Sequence, residues 1–188
     1  MKIGCVIMAA GNAARFGENK LAALFRGKPL IRHALEAVPK ELETVVVTQY
    51  PEVEELAAEF GFACLKNIHP DWGISHTIRL GTEFLSHCDG ILYLVSDQPL
   101  LEQDSVQRVV DAWKQTPDRI VGAAHNGKRG NPNLFPARFF PELMELREDH
   151  GGNTVIRRHE EALVLVEIPQ NQLTDVDTPA ALQDLTKA

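Results

Sequence analysis

Apolar runs of strand length alternate along this chain with segments whose apolar residues recur every three or four positions. Residues 3–9, 44–48, 91–95, 119–124 and 163–168 are rich in Val, Ile and Leu without strict alternation, as in strands buried on both faces. Residues 63–66 form a weaker strand candidate. Between them, residues 29–38, 52–60, 76–85, 104–114 and 141–147 carry helical period. Thr178-Pro179 sets a capping hydroxyl before a proline suited to the first helical position, and so starts a last helix over 180–187. Strands alternating with helices predict an α/β fold, a mostly parallel open sheet covered by helices on both faces. His125-Asn126-Gly127-Lys128 predicts a tight turn that sends residues 128–135 back as one antiparallel strand at an edge. No repeat, low-complexity tract or linker interrupts the pattern, so residues 1–188 are expected to form a single domain.

Composition narrows the partners. A net charge of −7 argues against a nucleic-acid surface, which needs an extended basic footprint, but leaves room for a small triphosphate held by a few local cations. Cys5, Cys64 and Cys88 are odd in number and widely spaced, which suggests reduced thiols in a cytoplasmic protein rather than a disulfide framework or a zinc site. The seven histidines form no metal-ligand spacing. The apolar run over residues 1–10 is too short for a membrane span or signal segment, and Gly11 and Arg15 end it.

The first strand runs straight into the loop Ala9-Ala10-Gly11-Asn12, followed by Arg15 and Lys20. Small side chains let backbone N–H groups approach a phosphate chain, and the two cations would neutralise it. A plain structural turn is the alternative, since neither Gly-x-Gly-x-x-Gly nor a P-loop ending is present. Asp97 follows another apolar strand and precedes Gln98-Pro99, which suits either a Mg²⁺ ligand or an Asp turn. Asp175 and Asp177 would face one side of an extended segment, as metal ligands or as acids at the start of a helix. Loops after parallel strands share one edge of the sheet, where ligands bind in open α/β folds.

Ala-Ala-Gly-x-x-x-Arg-x-Gly-x-x-Lys over residues 9–20 resembles the signature of nucleotidyltransferases. Three more blocks match in order: Asn67–Gly81, with Trp72-Gly73-Ile74-Ser75-His76-Thr77; Ser96-Asp97-Gln98-Pro99-Leu100-Leu101; and Asp175-Val176-Asp177-Thr178-Pro179. Together they resemble the molybdenum cofactor cytidylyltransferases, with the molybdopterin guanylyltransferases as close cousins, over nearly the whole chain.

The resemblance implies a Rossmann-like, GT-A-like nucleotidyltransferase fold. It implies a Mg²⁺-dependent enzyme moving CMP from CTP to the terminal phosphate of molybdopterin, with transient contact to a molybdenum hydroxylase or its chaperone. Arg15, Lys20 and Asp97 would be catalytic. Ala9, Ala10, Gly11, Asn12, Arg15, Lys20, Ser75 and Thr77 would bind nucleotide, though Ser75 alone equally suits an N-cap. Asp97 and Asp177 would hold the metal, with Asp175 a further candidate. His76, Arg129 and Asn131 would meet the acceptor, the last two from Lys128-Arg129-Gly130-Asn131-Pro132-Asn133-Leu134-Phe135, which looks like the family's acceptor-side segment. Three departures stand out: Asn12 and Ala13 replace the usual Arg and Ser, and residues 150–157 leave the usual Gly-Asp-Lys/Arg-Gly pattern. Ala9-Ala10-Gly11, where guanylyl enzymes carry Ala-Gly-Gly, favours cytosine. Guanylyl transfer, another phosphorylated acceptor, and a non-catalytic nucleotide-binding accessory role are the alternatives.

Overall fold

The computed structural model describes residues 1–12, 16 and 19–187. Its strands are β1 (Ile3–Ala9), β2 (Leu24–Phe25), β3 (Lys28–Pro29), β4 (Glu43–Thr48), β5 (Ala63–Lys66), β6 (Gly90–Val95), β7 (Ile120–His125), β8 (Lys128–Pro136) and β9 (Leu163–Glu167). Its helices are α1 (Leu30–Glu36), α2 (Pro51–Glu59), α3 (Ile74–Phe84), α4 (Gln103–Gln115), α5 (Phe140–Glu145), α6 (Gly152–Arg158) and α7 (Pro179–Lys187). A seven-stranded sheet runs β5-β4-β1-β6-β8-β7-β9, and β2 and β3 form a separate small hairpin. β1 pairs parallel with β4 and β6, and β7 pairs parallel with β9.

The antiparallel strand forms, but it is not at an edge. β8 lies inside the sheet, antiparallel to β6 on one side and to β7 on the other. The turn at Asn126-Gly127, with φ of 49° and 75°, folds it back beside β7. Its consecutive residues Leu134 and Phe135 are buried in opposite cores, which calls for cover on both faces. The edge place next to β7 goes instead to β9, whose residues are only partly buried. The sequence also gave no sign of α6, whose single apolar pair, Val155 and Ile156, is too short to reveal a period.

Helices cover both faces as expected. Ile3, Cys5, Ile7 and Ala9 of β1 enter a core built with α1, α2 and α4, including fully buried Trp113. Val6 points the other way, into a core with Ile78 of α3, Leu143 of α5, and Val155 and Ile156 of α6. The helix α3 approaches β1 closely at Gly81, where a β-carbon would lie 2.5 Å from Val6 Cγ2. A third cluster of Phe25, Leu30 and Val176 anchors α7 through Leu182 and Leu185. Thr178 caps α7, its hydroxyl accepting the Ala181 N–H at 3.1 Å.

Candidate active site

The parallel strands β4, β1 and β6 end at the same edge, so the loops after them meet. A cleft of about 450 Å³ opens there, lined by Ala10, Gly11, Asn12, Lys20, Thr77, Ser96 and Asp97 among others. A second lobe of about 340 Å³ adjoins it and includes Asn131, Asn133, His150, Thr154 and Arg157. Met8, Ile74, Val95 and Asp149 line both lobes, so the two share a wall. Each volume lies in the range of small-molecule sites.

The loop after β1 is held from β4. Gln49 Nε2 donates to the Ala10 carbonyl at 2.9 Å and to Asn12 Oδ1 at 3.0 Å. Tyr50 donates its hydroxyl to the Gly11 carbonyl at 3.0 Å; burial, with Glu52 nearby, raises its pKa and keeps that donor protonated. These bonds use carbonyls, which leaves the loop free to turn N–H groups toward an anion. Ser96 Oγ donates to the Met8 carbonyl at 2.8 Å and fixes the end of β6 to β1.

Lys20 stands at the foot of the cleft. Its Nζ donates to Asp97 Oδ2 at 2.7 Å and to the Val176 carbonyl at 3.2 Å, and lies 3.5 Å from Asp177 Oδ1. Two carboxylates thus converge on one cationic atom. The 175–177 segment reaches Asp97 because the Val176 N–H donates to the Asp97 carbonyl at 2.8 Å. Gln98 Nε2 adds a bond to Asp175 Oδ1 at 2.8 Å. Desolvation of the Asp175 carboxyl, and then the negative charge of Asp97, raise its pKa, although part of the residue faces solvent. Neither Asp175 nor Asp177 lines a lobe; the Asp175 carboxylate accepts from Gln98 and that of Asp177 lies by Lys20. Asp97 and Asp177 are thus the two acids that meet at Lys20 Nζ.

The other expected residues divide. Arg15 lies outside the described residues. Ala9 points into the core and lines neither lobe. Thr77 is at the cleft, its Oγ1 accepting from Asn67 Nδ2 at 3.1 Å. Ser75 is fully buried, donating its N–H to the Glu148 carbonyl, and does not cap α3, which begins after Gly73. His76 lies outside both lobes, against Trp72 with ring centroids 4.9 Å apart and with Nδ1 3.3 Å from Arg79. Burial, then the charges of Arg79 and His69, lower its pKa. Arg129 lines neither lobe either, whereas Asn131 lines the second.

Four residues at the site went unread in the sequence. Gln49 and Tyr50 sit just past the end of β4, and the rule that ligands gather at carboxyl ends of strands points to them. Asp149 and Arg157 flank the start of and lie within α6. Gly73 holds this region: its φ is 80°, and a β-carbon there would lie 2.4 Å from the Glu148 carbonyl and 2.7 Å from Asp149 Oδ1.

A family model described as the MobA-like NTP transferase domain matches residues 5–163. Among curated proteins, the chain is 26% identical to the purine catabolism protein PucB of Bacillus subtilis over 93% of this chain and 91% of that one. It is 28% identical to a molybdenum cofactor guanylyltransferase of a Shewanella species, over 77% and 72% respectively. Among solved structures, a nucleotidyl transferase from Methanothermobacter superposes with a TM-score of 0.84 at 19% identity, covering 99% of this chain and 96% of that one. Rv0371C of Mycobacterium tuberculosis, solved in complex with manganese, superposes at 0.81 with 18% identity, covering the whole of both chains. These structural likenesses concern the fold.

Proposed function

Since the chain belongs to the MobA-like NTP transferase domain family, we propose that it moves CMP from CTP to the terminal phosphate of a molybdopterin-type acceptor, releasing pyrophosphate. The observation that carries this reading is Lys20 held between Asp97 and Asp177 at the foot of a two-lobed cleft. A transfer reaction needs a donor and an acceptor side by side, and the lobes share Met8, Ile74, Val95 and Asp149.

In this reading the triphosphate lies along Gly11 and Asn12, with the base beside Ala10. Lys20 turns from the aspartates to the phosphates, where charge-assisted hydrogen bonds align and neutralise them. Asp97 and Asp177 would hold Mg²⁺, which would supply positive charge to offset that of the phosphates. The acceptor enters the second lobe, past Asn131 and Arg157, and presents its phosphate to the α-phosphate. That nucleophile is already ionised and needs no general base, in keeping with His76 being turned away from both lobes.

Guanylyl transfer is the second reading, favoured by the name of the Shewanella relative. Against it, Ala10 lines the first lobe at the position where the guanylyl enzymes usually carry Gly. Calorimetric titration of CTP and GTP in the presence of Mg²⁺ decides between them. CTP should bind more tightly; equal or tighter GTP binding overturns the cytidylyl assignment. Failure of both CTP and GTP to bind would overturn the family chemistry for this chain.

A further inference from the structure

At the amino-terminal edge of the sheet, opposite the cleft, Glu43, His87 and Cys88 bring a carboxylate, an imidazole and a thiol together. Glu43 opens β4, while His87 and Cys88 lie in the loop between α3 and β6. One ligand atom from each falls within 4.8 Å of the other two, and among the described residues no other such group of three is present. His87 Nε2 is already 3.1 Å from Glu43 Oε2. We propose that these three side chains form a second metal site, for a borderline-soft divalent cation of the zinc type, separate from nucleotide transfer.

The donor set selects the ion. Thiolate and imidazole together suit zinc and its neighbours, whereas Mg²⁺ takes oxygen donors. Ligands of tetrahedral zinc lie about 3.3–3.8 Å apart, from bonds of about 2.0–2.3 Å. The His–Glu separation is already near that spacing, and the thiol needs to move by at most about an ångström. Water would complete four-coordination from the solvent side, where His87 and Glu43 are part exposed, at 45% and 38%. Cys88 sits beneath them, 3% exposed, and seals the inner side.

Two groups respond to the metal. The Cys88 thiol, whose pKa burial raises above the usual thiol range, must release its proton to solvent as the metal–sulfur bond forms. The Lys2 ammonium, now 2.7 Å from Glu43 Oε2, must leave that oxygen, and its half-exposed side chain can swing into water. Asp89 keeps the Lys2 backbone in place by accepting its N–H at 2.6 Å. No spacing in the sequence announces this site, because Glu43 is supplied by β4 and the other two ligands by a loop far along the chain. Bound metal would tie the α3–β6 loop to the start of β4 and stabilise the native state by linkage.

The test is titration of the whole protein with Co²⁺, followed by displacement with Zn²⁺. The expected result is a thiolate-to-cobalt charge-transfer band that saturates at one equivalent and is removed by Zn²⁺. Carboxylates of the nucleotide cleft cannot produce this band. Cys88→Ser should abolish it, and the exposed substitution His87→Ala should weaken cobalt binding at least tenfold. Because His87→Ala alters no core contact, nucleotide binding should be unchanged in it. Absence of the band in the native protein, its persistence in Cys88→Ser, or unaltered affinity in His87→Ala would each overturn the proposal. None of these outcomes bears on the cytidylyl reading, which the nucleotide titrations test separately.

Discussion

The backbone N–H of Val176 donates to the carbonyl oxygen of Asp97 at 2.8 Å, and this bond joins two segments far apart in sequence at the foot of the cleft. Val176 itself is buried, between Asp175 and Asp177, whose side chains nonetheless find different partners. Asp175 turns to Gln98, and Asp177 turns to Lys20. The acids two residues apart are thus held by different partners.

Lys20→Ala is expected to act in opposite directions on the two ligands of the cleft. Without nucleotide, the ammonium competes with a divalent cation for Asp97 and Asp177, so its removal should tighten Mn²⁺ binding by about 1 kcal/mol, roughly fivefold. With nucleotide, the same change removes a charge-assisted contact worth roughly 1.5–3 kcal/mol and should weaken CTP accordingly. Paramagnetic relaxation by Mn²⁺ and calorimetry with CTP measure the two effects. A loss of both affinities would mean that Lys20 is not a competitor of the metal.

Asp97→Asn keeps size and one acceptor oxygen while removing the charge. If its carboxylate anchors the metal through the reaction, kcat and kcat/KM should fall together by about 100-fold or more, with the thermal midpoint little changed. Near-native turnover at low Mg²⁺ would remove Asp97 from the chemistry.

Much of this arrangement was legible in the sequence. Buried strands show as continuous apolar runs, and each expected strand formed within one residue of its predicted ends. That Asp97, Asp177 and Lys20 would lie near one another was readable because the loops that carry them follow strands or precede a capped helix, and backbone topology brings such positions together. Side-chain direction on α3 was not. The expected start at 76 falls two residues after the observed one at Ile74, which left the phase of the helix unset. Ile74 and Thr77, three apart, face the cleft, whereas Ser75 turns inward and His76 turns to Trp72. The direction of Arg129, which lines neither lobe, was hidden for a related reason: the β7–β8 register shifts between the pairings of Asn133 with Gly122 and of Arg129 with Ala124, which breaks simple alternation.

Asp175 gives the stability profile a direction. Its pKa is raised in the folded protein by desolvation and by Asp97, so its ionised form costs stability. A raised carboxyl favours the folded state below the unfolded pKa, and that favour is lost as pH climbs through the folded value. Asp175→Asn should therefore stabilise the metal-free protein at neutral pH, and the gain should shrink to nothing as acid protonates the native residue. Thermal midpoints of both proteins from pH 3 to pH 7, about the span of carboxyl titration, test this. A gain that grows toward acid would reverse the sign and refute the assignment.

Gly73→Ala should be far more damaging than Gly127→Ala. Both glycines have positive φ, 80° and 75°. A β-carbon at Gly127 meets nothing within 4 Å, whereas one at Gly73 runs into the Glu148 carbonyl at 2.4 Å. Backbone strain of roughly 1–3 kcal/mol applies to both, and the clash adds to it only at Gly73. The Gly73 variant should also move Asp149 and so raise KM for both substrates. Equal loss of thermal stability in the two variants would show that strain, not the contact with Glu148, governs position 73.

The second lobe gives reason to expect the acceptor to depend on Arg157 more than on Arg129. Arg157 lines the second lobe from α6, and among the described residues neither a hydrogen bond nor an ion pair engages it. Arg129 lines neither lobe. A free guanidinium at the mouth of a lobe floored by Tyr93, Phe135 and Leu143 suits an acceptor with a flat apolar body and an anionic group. Arg157→Ala should raise KM for the acceptor by roughly tenfold, about 1.4 kcal/mol, with CTP affinity unchanged. Arg129→Ala should leave the acceptor KM near native. Steady-state kinetics with molybdopterin as the varied substrate, beside CTP calorimetry on both variants, separates the two arginines. If Arg129→Ala raised KM and Arg157→Ala did not, the acceptor would have to enter from the β8 side, and the second lobe would lose its assigned occupant.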